Sequence, residues 1–256
     1  QTQRLFHRMA SQIAGPSCRI ARISPAQIQI ERNFFSTFFL VVTRQMVGDS
    51  PYLPLYAMVN QAMRAWVTAC DNILDDEYKE VLPFAFAGQG GRMRSILTLL
   101  IADRVLTEYI ADHYSDPTML RRTGRISLDA LASSALQECE EEDRPVPILS
   151  SRKILAEVHQ RKTGDLFRAP LAMPEAIETV PKARIRAGHT AAEQFGLACQ
   201  IIDDIKDMPA DVQTGRHSLP VSLAFEMNAL TAEALSELRR EALNWETWDR
   251  FPDVCD

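Results

Sequence analysis

Apolar residues recur three and four positions apart through most of the 256-residue chain, the period of an amphipathic helix, and the alternation of a half-buried strand is rare. The pattern predicts helices near residues 3–13, 26–47, 53–79, 93–114, 118–140, 150–169, 182–207 and 218–243, which makes the expected fold class all-α, with about eight to ten helices. Most of the fourteen prolines fall between these stretches and read as punctuation. Two long loops are expected, from Val81 to Gly91 with Pro83 and from Glu142 to Ser151 with Pro145 and Pro147. No internal repeat, low-complexity tract or linker divides the chain, so residues 1–256 are expected to form a single domain.

Composition narrows the function classes. A hydrophobic fraction of 46% supplies one substantial core, and a net charge of −6 gives no basic footprint for a phosphate backbone, so no nucleic-acid partner is expected. The longest apolar run, Phe34 to Val42, is broken by Ser36 and Thr37 and falls far short of the ~18 residues that span a bilayer. A soluble protein without a transmembrane segment is expected. The five cysteines (Cys18, Cys70, Cys139, Cys199, Cys255) are odd in number and lack CxxC spacing, which argues for a reducing, cytoplasmic setting. The five histidines show no metal-ligand spacing, and His159 reads as a helix residue near Lys162. The acid run at Glu138, Glu140, Glu141 and Glu142 reads as a solvated face.

Two acidic constellations carry the candidate chemistry. Asp71-Asn72-Ile73-Leu74-Asp75-Asp76-Glu77 closes an apolar helix, and Asp71 and Asp75 share one face. Gln200-Ile201-Ile202-Asp203-Asp204-Ile205-Lys206-Asp207 repeats the spacing with Asp203 and Asp207, one turn after Gln200 and two after Gly196. Gly188, Ala192, Phe195, Cys199 and Ile202 are expected to face the core, with the acids on another face. Like charges four apart destabilise a helix by roughly 0.2–0.5 kcal/mol per pair. One such run reads as a solvated helix end, but two with matching spacing call for a cation. Mg²⁺, which takes one or two carboxylates, several waters and substrate phosphate oxygens, answers that need.

Four segments in order resemble the trans-isoprenyl diphosphate synthase family, also called polyprenyl synthetases: Asp71 to Asp75 for the first aspartate-rich motif, Lys162-Thr163-Gly164 with Leu166 and Phe167, Gln200 to Asp207 for the second, and Gly215-Arg216-His217-Ser218-Leu219-Pro220. The resemblance implies one bundle of mostly antiparallel helices around an apolar cavity, the isoprenoid synthase fold, with the aspartates at its mouth. It implies Mg²⁺-dependent departure of diphosphate from an allylic prenyl substrate, with three ions when diphosphate is bound, and a homodimer. By the same carry-over Asp71, Asp75 and Asp203 would be metal ligands, and Asp204 and Asp207 would complete the metal set as outer or water-mediated partners. Lys162 and Arg216 would hold the diphosphate oxygens, and Thr163 and Gln200 would lie near the reactive carbons. Trp66 and Val67, one turn below Asp71, would form the pocket floor, which suggests ligands of roughly ten to fifteen carbons; the plainer alternative packs Trp66 into the ordinary core.

The chain departs from the family pattern in two places. The basic segment that usually precedes the first motif reads Glu31-Arg32-Asn33-Phe34-Phe35-Ser36, and the paired arginines that usually follow the motif are replaced by Glu77-Tyr78-Lys79-Glu80. Arg92 and Arg94, behind Gly90-Gly91 at the next helix start, could receive a phosphate instead, or simply solvate that start. The expected function is prenyl transfer to isopentenyl diphosphate or another acceptor. A class I terpene synthase acting on a single prenyl diphosphate is the alternative, and a non-catalytic regulatory subunit is the third reading.

Overall fold

The computed structural model describes residues 1–86, 90–142 and 147–240. The expected loops therefore fall partly outside the described residues, as do positions 241–243 of the last predicted helix. The regular elements of the described chain are all helices, and the isolated bridge between Ile20 and Phe84 is its only β pairing. Helices run over α1 (Thr2–Ala14), α2 (Phe34–Val47), α3 (Leu53–Leu74), α4 (Gly91–His113), α5 (Pro117–Glu142), α6 (Ser151–Lys153), α7 (Asp165–Ile177), α8 (Lys182–Thr214), α9 (Leu219–Glu226) and α10 (Ala232–Leu238). Between α6 and α7, Ile154–Gly164 is wound as a π-helix. No described helix is long and apolar enough to cross a membrane.

Contacts divide the chain into two compact units, one of residues 1–128 and 169–189, the other of residues 129–168 and 190–256. In the first, Phe6 and Ala10 of α1, Phe39 and Met46 of α2, Leu55, Tyr56, Met58 and Val59 of α3, and Val105, Tyr109 and Ile110 of α4 are buried. Tyr56 and Ser50 hydroxyls donate to the Glu178 carboxylate at 2.5 and 2.7 Å, and burial together with that carboxylate pushes the Tyr56 phenol upward. In the second, Met208 and Val212 of α8 pack with Val221 and Ala224 of α9 and Leu235 and Leu238 of α10.

Three expected boundaries move for physical reasons. The helix expected over 53–79 stops at Leu74, because Asp75 caps it and Asp76 turns to φ 53°. The helix expected over 218–243 breaks at Asn228, also at positive φ (59°), between α9 and α10. Helices expected to stop near prolines instead run through them: Pro170 and Pro174 lie inside α7, and Pro209 inside α8. Pro170 and Pro174 are buried, so apolar burial offsets part of the roughly 3 kcal/mol that an interior proline costs. The segment after the first motif, expected as an open loop, begins packed: Val81, Leu82 and Phe84 are buried, and Ala85 N–H donates to the Arg19 carbonyl at 2.7 Å.

Candidate active site

The second acidic motif lies in the middle of α8, and its packing face differs from the one expected. Gly188, Ala192, Gly196, Asp204, Met208 and Val212, four apart at nearly every step, are buried, whereas Ile202 is 65% exposed. The core-facing stripe is thus rotated by about one residue, and it takes Asp204 inward with it. Asp203 remains exposed and Asp207 half-buried, one turn apart. Burial first, then the Asp207 charge, pushes the Asp203 carboxyl above its usual range, while Lys206 and Lys162 oppose this. Gly196 is required by a close approach: a Cβ there would sit 2.8–3.1 Å from atoms of the Phe167 side chain.

The lysine-threonine-glycine motif ends the π-helix and meets α8 through two rungs. Thr163 donates to the Gln200 side-chain oxygen, and His159 Nε2 lies 2.9 Å from Asp204 Oδ2. Gln200 Nε2 ties the rungs together by donating to Asp204 Oδ1 at 3.0 Å. Both oxygens of Asp204 are therefore engaged, and Oδ2 also accepts the Leu219 backbone N–H at 2.8 Å. Burial would raise this carboxyl, but the bonds from His159, Gln200 and Leu219 outweigh it and hold Asp204 below its usual range. His159 is 1% exposed and Asp204 3%. The sequence did not mark His159 for a role; its place three residues before Lys162 carried no signal without the π-helical register.

Lys162 is half-buried with its ammonium 2.7 Å from Glu138, and the Ser134 hydroxyl donates to its backbone carbonyl at 2.9 Å. Burial pulls the ammonium down, and Glu138 and Glu141 more than compensate, so its affinity for the proton ends above the ordinary value. The acid run expected to be a solvated face is divided: Glu138 pairs with Lys162, Glu141 is buried and accepts from Gln137, and Glu140 stays exposed near Arg161. Arg216 follows Gly215, whose φ of 76° lets the Gly215 and Arg216 N–H groups both close on the Asp211 carbonyl. It lines a shallow pocket with Asp211, His217, Ser218 and Arg239. Asp211, which sequence reading passed over, is pushed up to about 7 by burial and by the Asp204 charge, against Lys162 and Arg216.

The first motif ends α3 in the other unit. Asp71 is half-buried, and its carbonyl accepts the Asp75 N–H at 2.8 Å; Asp75 itself is exposed. Asn72, which departs from the family aspartate, is 3% exposed. Its oxygen accepts the Lys79 N–H at 2.8 Å and its amide donates to the Lys79 carbonyl at 3.0 Å and to Ser95 at 3.3 Å. A carboxylate could not donate, which is the physical reason for an amide here. Arg92 meets Asp76 in an exposed pair at 3.0 Å. Arg94, expected to meet a phosphate, is turned to the Phe84 and Phe86 carbonyls at 3.2 and 2.9 Å and lies over the Phe86 ring. Asn33, in the segment that departs from the family's basic pattern, serves the fold by donating to the Gln27 and Gln29 carbonyls and accepting from Arg64. Trp66 is buried in α3, and Val67 is half-buried.

Among the described residues no three His, Cys, Asp or Glu side chains are gathered tightly enough to hold a metal unaided. The donor chemistry nevertheless fits a hard cation, because each motif offers two carboxylates at helical spacing and Mg²⁺ draws its remaining ligands from water and phosphate.

Comparison with known proteins places these elements. No curated protein matches the sequence. Heptaprenyl diphosphate synthase from Staphylococcus aureus shares the fold with a TM-score of 0.66 at 13% identity, over 99% of this chain and 82% of that one. A decaprenyl diphosphate synthase from Rhodobacter capsulatus gives 0.66 at 15%, over 99% and 80%. A polyprenyl synthase from Caulobacter crescentus, complexed with calcium and isoprenyl diphosphate, gives 0.57 at 18%, over 100% and 86%. The fold is the all-α isoprenoid synthase fold. Residues 89–241, more than half of the chain, match the polyprenyl synthetase family profile, so the chain belongs to the polyprenyl synthetase family and is a prenyltransferase by class.

Proposed function

We propose that this chain ionises an allylic prenyl diphosphate with the help of Mg²⁺ and transfers the prenyl group to isopentenyl diphosphate or another acceptor. The observation that carries the reading lies within the second unit: Lys162, Thr163, Gln200, Asp203 and Arg216, far apart in sequence, belong to one hydrogen-bonded and electrostatically coupled cluster. Lys162 and Arg216 would hold the diphosphate oxygens, with Glu138 fixing the Lys162 ammonium until the ligand arrives. Thr163 and Gln200, locked to each other, would present a fixed polar edge to the reactive carbons. Asp203 and Asp207 would hold metal ions at this motif. Asp71 and Asp75 enter as metal ligands through the family resemblance. Bound Mg²⁺ would neutralise charge on the departing diphosphate. The Caulobacter polyprenyl synthase was solved with a divalent ion and an isoprenyl diphosphate, and a ligand of that class, of roughly ten to fifteen carbons, is proposed here. A cytoplasmic homodimer is proposed on family grounds.

The second reading, a class I terpene synthase, is favoured by the basic segments. The segment that is basic in the family keeps one arginine here, its Asn33 is spent on backbone carbonyls, and Arg94 is likewise engaged by backbone carbonyls, which weakens the case for a second diphosphate. Incubation with Mg²⁺ and geranyl or farnesyl diphosphate, with and without isopentenyl diphosphate, separates the readings. A longer diphosphate supports transfer, a hydrocarbon or alcohol from one substrate supports cyclisation, and no turnover with any pairing removes both and leaves the regulatory subunit.

A further inference from the structure

We infer that Asp204 is a positioning residue and not a metal ligand: with His159 it forms a buried latch that clamps the start of α9 to α8 and thereby sets the Arg216 turn. Three observations lead there. A ligand must direct a lone pair at the ion, yet both Asp204 oxygens are turned into the protein and engaged by His159, Gln200 and Leu219. The chain from Gly215 to Leu219 is fastened to α8 at two points: Gly215 and Arg216 N–H groups on the Asp211 carbonyl at 2.8 and 3.0 Å, and Leu219 N–H on Asp204 Oδ2 at 2.8 Å. Asp204 and Asp211 stand about two turns apart on one helix, so the segment doubles back along α8 and holds Arg216, His217 and Ser218 between its clamps. The N-terminus of α9 also lacks a cap of its own. Ser218 makes no side-chain cap, its hydroxyl is buried with no partner among the described residues, and Pro220 has no N–H to offer. The Asp204 carboxylate takes the capping role from another helix, where a negative charge at a helix N-terminus is favourable.

His159 completes the latch at Oδ2, the same oxygen that accepts the Leu219 N–H. It belongs to the π-helix, three residues before Lys162, so the Lys162 and Arg216 segments are both referenced to one carboxylate. The consequence for ligand binding rests on the reading of Lys162 and Arg216 as diphosphate-holding residues; the latch itself does not.

Asp204→Asn and His159→Gln, with Asp203→Asn as reference, decide the matter through three readouts on the full chain. Hydrogen exchange across residues 215–222 without ligand should speed up about tenfold in Asp204→Asn, and unchanged exchange overturns the latch. The Kd for pyrophosphate at saturating Mg²⁺ should rise about tenfold in Asp204→Asn, but by less than about twofold when added to Arg216→Gln, because the residue acts through that arginine. Full additivity overturns the coupling. With pyrophosphate held at the same multiple of each variant's own Kd, the Mg²⁺ concentration for half-maximal pyrophosphate binding should stay at the wild-type value in Asp204→Asn and rise in Asp203→Asn; an equal rise in both makes Asp204 a ligand and ends the proposal. If wild-type protein binds no pyrophosphate with Mg²⁺, the proposed function fails, while the exchange readout still judges the latch. Should Asp204→Asn not fold, His159→Gln carries the same readouts, with exchange faster by about threefold because the amide keeps a donor near the carboxylate.

Discussion

At the end of α3 the second residue of the acidic motif is Asn72, and along α8 it is Asp204; both are 3% exposed, and each holds a backbone N–H of chain that follows its motif. The two solutions differ in chemistry. Asn72 offers both a donor and an acceptor, so one amide satisfies both backbone polar groups of Lys79. Asp204 can only accept, and it draws three donors, from His159, Gln200 and Leu219, to balance a buried charge. The first and fifth positions, Asp71 with Asp75 and Asp203 with Asp207, stay accessible in both helices. The spacing of an aspartate-rich motif therefore divides its positions: the outer ones are left accessible, and the second one holds the chain that follows.

Predictions that sharpen or break this contrast run from large to small. Asp203→Asn should lower prenyl turnover about 10²–10³-fold and raise the Mg²⁺ requirement, measured by steady-state assay with metal titration. Asn72→Asp, which restores the family sequence, should destabilise the protein by about 2–3 kcal/mol in urea unfolding, because the Lys79 carbonyl and Ser95 lose a donor; equal stability would mean that the second position is neutral.

Asp211 tests the acids that α8 carries beyond its motif. Its folded carboxyl sits near 7 against 3.8 for the ordinary group, so the folded state binds the proton more tightly than the unfolded chain. That contribution is fully present below the unfolded value and is lost as pH rises through about 7. Asp211→Asn should accordingly stabilise the ligand-free protein by roughly 2 kcal/mol at pH 8, with the gain vanishing near pH 4, read as Tm against pH. Gly196→Ala should cost about 1 kcal/mol net, the clash with Phe167 outweighing the gain in helix propensity, and chemical denaturation checks it. Arg92→Ala, which removes only the exposed pair with Asp76, should change stability by less than about 0.5 kcal/mol by the same measurement.

Sequence reading reached the helical class, the helix order and the motifs, because each depends on local period or spacing. It misjudged α7 and α8 at Pro170, Pro174 and Pro209; at the first two, tertiary burial offsets the local cost of proline. It also turned α8 by about one residue: Phe195, Cys199 and Ile202 are more hydrophobic than Gly196, Gln200 and Asp204, yet Gly196 admits Phe167, and the other two are paid for by hydrogen bonds rather than by apolar area. Arg94 looked like a phosphate partner because a cation at a helix start is ambiguous until the Phe84 and Phe86 carbonyls are seen beside it. His159 reads from sequence as an ordinary helix residue and Asp211 draws no attention, since neither belongs to a motif and the pairing of the one and the burial of the other arise only from tertiary structure.

The π-wound stretch from Ile154 to Gly164 makes this protein sensitive to a particular genetic accident. Such winding accommodates about one more residue per turn than i→i+4 bonding would use, so loss of a single codon there would let about one of its turns relax to ordinary α-helix. The shortened protein could be as easy to fold as the parent or easier, yet Lys162 and Thr163 would swing around the helix axis and leave their partners on α8. A single-residue deletion in this stretch should thus abolish catalysis while sparing solubility, whereas a deletion in a surface loop commonly spares both.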